Sequence, residues 1–357
     1  MTDILLLAVA IITGFIVAFA IGSNDESMAP AVGSGVFSLR IALGLGAGFA
    51  VFGALTLGRG VSEKVGKDLV NVELTLAMVL AIISAMAIWL ILVSVGAGIP
   101  ISTTQCIVGS VMGVSLLEVF LNPDLGINLI DTIHYPTLFE ILLGWLISPV
   151  IGFIFAALFY AAIMRIRGHG KVNSLMAYER QERIAGYLLA VFLLVTVISR
   201  GGNDVANAVA PLLRISEFRY DDFITLSIRI EGFSDIIIPG FAIPLLLGGI
   251  GMATGLIIVG KKVITNLGSE VVTLTPFSAL AGSMSVSIVL FFGTAMGLPL
   301  SGSHILVAAL IAVGWAGKSP VKMDGVKKIG ISWIITVPIS ALLGMIIYIP
   351  MKILIPV

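Results

Sequence analysis

The sequence contains few charged residues, a single cysteine and no surplus of either charge. Of its 357 residues 11% are charged and 58% are hydrophobic, and the mean hydropathy is +1.14. A soluble globular domain carries about 25% charged residues, so this composition excludes an ordinary soluble protein. It indicates an all-α, polytopic membrane protein, with the lipid bilayer as its surroundings.

The charge balance and the lone cysteine exclude further classes. Lys and Arg together number 20, as do Asp and Glu, so no basic surface for nucleic acid is expected. Cys106 cannot form an intrachain disulfide or a cysteine zinc cluster, and we expect no cofactor. The first apolar run has no basic residue before it, so we interpret it as a retained span and not a signal peptide. We therefore expect a multi-pass protein of the cell (plasma) membrane.

Eight apolar runs approach or exceed the roughly 20 residues that a spanning helix needs. They cover residues 4–21, 36–57, 74–95, 138–164, 184–199, 236–259, 277–298 and 329–349. Two shorter apolar segments, 101–120 and 301–316, each follow a long run directly and open with Pro and a Ser/Thr cluster. We expect these two to be re-entrant half-helices, which are tolerated where protein or a water-filled cavity surrounds them.

Three motifs occur twice in the same order. The repeated motifs are Asn24-Asp25 and Asn203-Asp204, residues 58–61 and 260–263, and residues 99–104 and 298–303. The chain is therefore predicted to consist of two homologous halves, 1–164 and 184–357, joined by a polar linker, 165–183. The second half also carries a charged insertion, 214–231, to which the repeat assigns no role.

Charges at equivalent positions predict how the halves are oriented. The loop 118–136 holds acidic residues and no Lys or Arg, whereas its counterpart, 317–328, holds four lysines. By the positive-inside rule these loops lie on opposite faces, and the basic linker 165–183 lies in the cytoplasm. The halves are then inverted-topology repeats, which are typical of secondary transporters with a site near the bilayer midplane.

The paired Asn-Asp segments are the first candidate site. A carboxylate inside a span costs about 2.5–3.5 kcal/mol on insertion scales, so it usually faces a cavity, a partner or a cation. Glycines stand beside both pairs, and we expect them to break the helices there. Asp and Asn oxygens suit an alkali or alkaline-earth cation. The alternative is a pair of surface helix caps, which the duplication disfavours.

The Pro-Ser-Thr clusters are the second candidate site. Hydroxyl groups cap a helix N-terminus, whose positive dipole end attracts anions. Gly302 would let a ligand approach the backbone. A cap without a ligand is the alternative, and the duplication favours an oxyanion cradle. The candidate hydroxyl residues are Ser102, Thr103, Thr104, Ser301 and Ser303.

Residues 201–208 read Gly-Gly-Asn-Asp-Val-Ala-Asn-Ala and closely resemble the signature of the inorganic phosphate transporter (PiT) family. The other duplicated motifs are also similar to that family's. The resemblance implies a bundle of about ten to twelve spans with two helical hairpins, and phosphate symport coupled to sodium or protons. The first copy departs from the pattern, because Met28 stands in place of Asn207 and Glu26 adds a charge.

The residues and the resemblance together predict two sets of ligands. The sodium set is Asn24, Asp25, Asn203, Asp204 and Gln105, and the phosphate set is Ser102, Thr103, Thr104, Ser301, Gly302, Ser303, Asn207, Asp25 and Asp204. Arg200 is a weaker candidate for the anion, and His304 is interpreted as a residue that bonds a neighbouring span. The Lys261-Lys262 pair is interpreted as solvated.

Phosphate import with sodium is the favoured function. A proton-coupled phosphate or sulfate permease remains as an alternative, and a channel is disfavoured because a pore needs no coupling cations. A hydrolase is also disfavoured, since the adjacent Ser303 and His304 point about 100° apart on a helix and cannot act on each other. The glycines 44, 46 and 48 are compatible with a homodimer or with packing inside one chain.

Overall fold

The computed structural model describes residues 2–67, 69–169, 175–209, 226–228, 236–238 and 242–355. These residues form twelve α-helices, a 3-10 turn, a π-helical segment and two short strands. The α-helices are α1 (Thr2–Ser23), α2 (Ala29–Gly33), α3 (Leu39–Lys67), α4 (Leu76–Gly96), α5 (Thr103–Leu121), α6 (Tyr135–His169), α7 (Leu175–Val209), α8 (Ala242–Gly255), α9 (Lys261–Glu270), α10 (Pro276–Ala295), α11 (Gly302–Ala316) and α12 (Met323–Leu354). The 3-10 turn is Pro123–Leu125, and the π-helical segment Leu256–Gly260 joins α8 to α9.

Within the described ranges, eight helical segments are long and apolar enough to cross a membrane, and two shorter apolar ones accompany them. This confirms the prediction of an all-helical, multi-pass membrane protein. Outward-facing side chains are apolar, as lipid contact requires; Leu146 is 65% exposed and Ile334 77% exposed.

Two helical hairpins form where the sequence predicts them. Hairpin 1 consists of α4 and α5, and hairpin 2 consists of α10 and α11. Gly98 and Gly297 turn the chain after the first helix of each hairpin, with φ of 64° and 70°. Only glycine adopts this left-handed conformation without strain. Helix α5 has 19 residues, which is enough to span a membrane, so re-entry of hairpin 1 stays a prediction.

The predicted linker 165–183 is helical in its described residues, and its location in the cytoplasm stays a prediction. Residues 165–169 continue α6, and residues 175–183 belong to α7. Helix α7 has 35 residues, more than a bilayer needs, so its polar first turns extend beyond the apolar part. Most of the charged insertion 214–231 lies outside the described residues, as do Ala210 and Pro211, which follow the second Asn-Asp motif. The described part of the insertion, β1 (Leu226–Ile228), pairs antiparallel with β2 (Ile236–Ile238).

Equivalent helices make equivalent contacts. Helix α1 packs on α8 as α7 packs on α3, and α5 packs on α12 as α11 packs on α6. Each of these contacts joins one half to the other, as a pseudo-two-fold relation between the halves requires. The inverted orientation of the halves in the bilayer stays a prediction.

Glycines set the closest helix contacts. A Cβ on Gly22 in α1 would lie 1.9 Å from the Met252 carbonyl oxygen, and one on Gly201 in α7 would lie 2.2 Å from the Ala50 carbonyl oxygen. The expected helix break at Gly201 is wrong, because α7 continues through it to Val209. These glycines allow backbones to approach instead.

The glycines considered for a homodimer are not alike. Gly46 faces Leu256 and Met28 within the chain, whereas a Cβ on Gly44 or Gly48 would meet nothing within 4 Å. A homodimer stays a prediction.

Candidate functional site

The two Asn-Asp segments lie inside the bundle in different backbone conformations. Helix α1 ends at Ser23, and residues 24–27 form a buried turn before α2. The Asp25 carboxylate accepts hydrogen bonds from the Ser27 backbone N–H and hydroxyl, both at 3.0 Å, which fixes this turn. Asp204 lies within α7 and is 3% exposed. The carboxylates are thus buried in the protein and are not caps at the membrane surface.

The tip of hairpin 1 is bonded to both segments. The Asn24 amide donates to the Ile101 carbonyl at 2.7 Å and accepts from the Ile101 N–H at 3.0 Å. The Thr103 hydroxyl donates to the Asp204 carboxylate at 2.8 Å. One hairpin tip therefore connects the first Asn-Asp segment to the second.

The tip of hairpin 2 joins the same cluster. The Asn203 amide donates to the Leu298 carbonyl at 3.1 Å. The Ser303 hydroxyl donates to the Ile101 carbonyl of hairpin 1 at 3.2 Å. Both tips and both Asn-Asp segments, predicted separately from the sequence, are thus brought together in one buried site.

Each hairpin tip is the capped N-terminus of a helix. The Ser102 hydroxyl accepts from the Gln105 N–H at 3.3 Å, and the Ser301 hydroxyl accepts from the His304 N–H at 3.4 Å. One hydroxyl caps one N–H, whereas the first four N–H groups of a helix lack an intrahelical partner. The remaining first-turn N–H groups and the two helix dipoles form a suitable environment for an anion.

An ion-pair cluster occupies the centre of the site. The Arg200 guanidinium binds the Glu26 carboxylate with both terminal nitrogens, at 2.7 and 3.2 Å. Its Nε lies 3.1 Å from Asp204 and 3.3 Å from Asp25. All four side chains are buried. Three carboxylates and one guanidinium leave a formal charge of two negatives inside the bundle.

Sequence reasoning missed the importance of this arginine and this glutamate. Arg200 was a weak candidate, and Glu26 was seen only as a departure from the repeat. A signal was present, because both charges stand where the other half has an apolar residue, Ile21 and Val205. Two opposite charges that each depart from a repeat are candidates for mutual pairing.

Several buried amide oxygens have no hydrogen-bond partner in the described part of the chain. They are Gln105 Oε1, Gln181 Oε1, Asn203 Oδ1 and Asn207 Oδ1, and the Asn207 Nδ2 is also without a partner. Buried polar atoms are nearly always bonded, so the atoms of Gln105, Asn203 and Asn207, which lie in or close to the duplicated motifs, are candidates for binding a ligand. Among the described residues, no group of three or more His, Cys, Asp or Glu side chains is arranged to hold a metal ion. An alkali cation would therefore need amide or backbone oxygens as well.

Two neighbouring residues have structural roles. The His304 ring packs edge-on against Trp333 of α12, with centroids 4.0 Å apart. Its Nδ1 has no hydrogen-bond partner in the described part of the chain, so the contact with the neighbouring span is a ring contact and not the expected hydrogen bond. Lys262 is exposed but not merely solvated, which corrects the sequence interpretation. Its Nζ donates to the Val95 and Gly96 carbonyls at 2.6 and 2.9 Å, at the C-terminus of α4.

Comparisons with known proteins identify the family of this chain. The model of the phosphate transporter family matches residues 21–344. The Arabidopsis thaliana protein named inorganic phosphate transporter 2-1, chloroplastic, is 27% identical over 428 aligned residues, covering 93% of this chain and 70% of that protein. A solved structure described as the sodium-dependent phosphate transporter is 26% identical, with a TM-score of 0.84 over 99% of this chain and 100% of that one. Both hairpins and both Asn-Asp segments lie inside the matched range, and the chain belongs to the phosphate transporter family, whose members are transporters and not enzymes.

Proposed function

We propose that this protein imports inorganic phosphate by symport with sodium ions, through a site that opens alternately to each side of the membrane. The observation that carries this proposal is the buried cluster of Asp25, Glu26 and Asp204 around Arg200. Its two uncompensated negative charges are costly in a membrane interior. Two monovalent cations would neutralise them, and an anion could then bind beside the cluster.

The proposed sodium ligands combine carboxylates with neutral oxygens. Asp25 and Asp204 supply charge, and the unpartnered oxygens of Asn203 and Gln105 are available to complete the coordination. Neutral amide oxygens serve a metal cation better than a proton, and this favours sodium. We assign Asn24 a positioning role, since both ends of its amide already bond the Ile101 peptide.

The proposed phosphate site lies at the two hairpin tips. Helices α5 and α11 would offer their N-terminal N–H groups and hydroxyls to the phosphate oxygens. These groups belong to Ser102, Thr103, Thr104, Ser301, Gly302 and Ser303. Asn207 has an unpartnered Nδ2 that can donate as well.

The two aspartates give a reason to prefer phosphate over sulfate. A carboxylate accepts the hydrogen bond of a protonated phosphate oxygen, and sulfate has no such proton. Asp25 or Asp204 would supply this acceptor within the same buried cluster.

The membrane potential requires that cations be transported together with phosphate. Each negative charge that enters a cell held negative inside is opposed by about 2.3 kcal/mol per 100 mV. A phosphate dianion therefore needs at least two co-transported monovalent cations to enter without net charge. Rocking of one half against the other around the fixed site would provide alternating access.

The test is uptake of radiolabelled phosphate into proteoliposomes that contain the purified protein. An inward sodium gradient is compared with an equal potassium gradient and with a pH gradient. We expect uptake with sodium only, and its loss in Asp204→Asn. The matched control is Asp124→Asn, which changes a carboxylate in the exposed turn after α5. Uptake driven only by the pH gradient would instead identify a proton-coupled permease, and accumulation of sulfate alone a sulfate permease.

A further inference from the structure

Several positions at the site differ between the two copies of the repeat, and three of them bring or accommodate a charged side chain. These three are Glu26 where the second half has Val205, Arg200 where the first half has Ile21, and Gly302 where the first half has Thr103. Whether the three residues act together depends on whether they are in contact.

Arg200 contacts both of the other residues, and we call the three residues the Arg200 unit. Arg200 binds Glu26 with both terminal nitrogens. A Cβ on Gly302 would lie 2.3 Å from the Arg200 Nη1, so only glycine leaves room for the guanidinium here. In hairpin 1, the Thr103 hydroxyl donates to Asp204. At the equivalent position of hairpin 2, Gly302 has no side chain, and the Arg200 guanidinium of α7 lies there instead, 3.3 Å from Asp25.

The Arg200 unit does not change the charge of the site. Glu26 and Arg200 cancel, so the formal charge is the same two negatives that the two aspartates alone would give. The unit is therefore not needed to neutralise the aspartates. What it changes is the location of a positive group, which lies against Gly302, the first residue of α11. That helix N-terminus already favours an anion.

The guanidinium also retains donors for a ligand. An arginine side chain has five N–H groups, and the three hydrogen bonds to Glu26 and Asp204 use three of them. One N–H on each terminal nitrogen remains. These two groups point along different edges of the guanidinium. Nη1 is the guanidinium atom nearest to Gly302, so its remaining N–H is the one placed to donate to an oxyanion there.

We propose that Arg200 is a phosphate-binding residue, which donates the remaining N–H of Nη1 to the anion at the N-terminus of α11 while Glu26 holds the guanidinium in place. This inference rests on the proposed function, in which the hairpin tips bind phosphate. It makes the site asymmetric, with a guanidinium on the side of hairpin 2 and a hydroxyl on the side of hairpin 1.

The test replaces the pair by its counterparts in the repeat, in the double variant Glu26→Val/Arg200→Ile. The formal charge of the site is unchanged, so the sodium concentration for half-maximal uptake should stay within about two-fold. The KM for phosphate should rise about 10- to 100-fold, as expected for the loss of a charge-assisted hydrogen bond. Arg200→Lys keeps the positive charge but not the planar guanidinium, so it should also raise the KM for phosphate. This variant provides the test if the double variant does not fold.

The outcomes separate this inference from the proposed function. Wild-type uptake of phosphate driven by sodium is the reference, and its absence would defeat the proposed function and the assignment of Arg200 with it. With the reference established, an unchanged phosphate KM in the double variant and in Arg200→Lys would overturn the role of Arg200 alone. An equal loss of sodium and phosphate dependence in both variants would also overturn it, because the unit would then only support the structure.

Discussion

The two halves of the molecule share an Asn-Asp motif but use the asparagine differently. In the first half, the Asn24 carbonyl oxygen accepts from the Ile101 N–H and from the Ser94 hydroxyl, and its amide nitrogen donates to Ile101. In the second half, Asn203 makes one hydrogen bond, to Leu298, and its carbonyl oxygen is unpartnered in the described part of the chain. The first motif builds the framework, whereas the second leaves an amide oxygen without a partner among the described residues.

The rest of each motif shows the same division. Met28 is fully buried among apolar residues, whereas its counterpart Asn207 is fully buried with neither amide atom bonded in the described structure. Helix α1 ends at its motif, whereas α7 continues through its own. A repeated sequence motif thus locates a site without making its two copies equivalent.

Disruption of close helix packing should affect the two halves alike, and it should lower the stability of the protein more than any of the other changes. Gly22→Ala and Gly201→Ala each place a methyl group about 2 Å from a backbone oxygen. Overpacking usually costs about 1–3 kcal/mol, but a backbone cannot move aside as a side chain can, so we expect the exceptional range above about 5 kcal/mol here. We expect both variants to lose thermal stability in detergent. Gly48→Ala, which meets nothing within 4 Å, is the control. Normal stability of either variant would contradict the assigned packing role.

Removal of one charge from the Arg200 unit should have the next largest effect on stability. Arg200→Ile leaves three buried carboxylates without their cation, and loss of one partner of a buried pair costs about 3–5 kcal/mol. Glu26→Val/Arg200→Ile should recover most of this loss, since the pair is replaced by apolar residues. Thermal unfolding of the single and double variants measures the difference. A double variant as unstable as Arg200→Ile would show that the two residues are not coupled.

Substitution of each asparagine should then distinguish a residue that supports the framework from one that binds a ligand. Asn24→Ala removes bonds that hold hairpin 1 and should cost about 2–3 kcal/mol, whereas Asn203→Ala removes one bond and should cost about 1 kcal/mol. Asn203→Ala should in turn raise the sodium concentration for half-maximal uptake. Unfolding curves and sodium titrations of uptake test both statements. Equal effects of the two substitutions on both quantities would remove the distinction between the halves.

The smallest expected effect concerns a contact that only the second half supplies. Lys262 caps α4 at its C-terminus, and its counterpart in the repeat is Gly60, which has no side chain to do so. A cation at a helix C-terminus contributes about 0.3–1 kcal/mol, so Lys262→Gln should lower stability by that amount. Phosphate uptake per folded molecule should not change. A strong loss of uptake would place Lys262 in the transport cycle.

Much of the fold could be predicted because hydrophobicity and duplication are strong signals. The apolar runs located most of the spans, and the Pro-Ser-Thr clusters located the hairpin tips, where Ser102 and Ser301 act as N-caps. The glycines were ambiguous, since the absence of a side chain permits both a helix break and close packing. Gly201 packs against α3, and no local pattern distinguishes the two uses.

The sequence marks Glu26 and Arg200 as departures from the repeat, but it does not place them in contact. The two residues are 174 residues apart, and their contact depends on how α7 packs against the turn after α1. Tertiary packing therefore determines the ion-pair cluster.

The measurement that tests the central claim most directly is the simultaneous uptake of radiolabelled sodium and phosphate into proteoliposomes held at zero membrane potential. The two negative charges of the cluster predict about two sodium ions per phosphate, and Asp204→Asn should abolish both fluxes together. Phosphate uptake without any accompanying sodium would contradict the account.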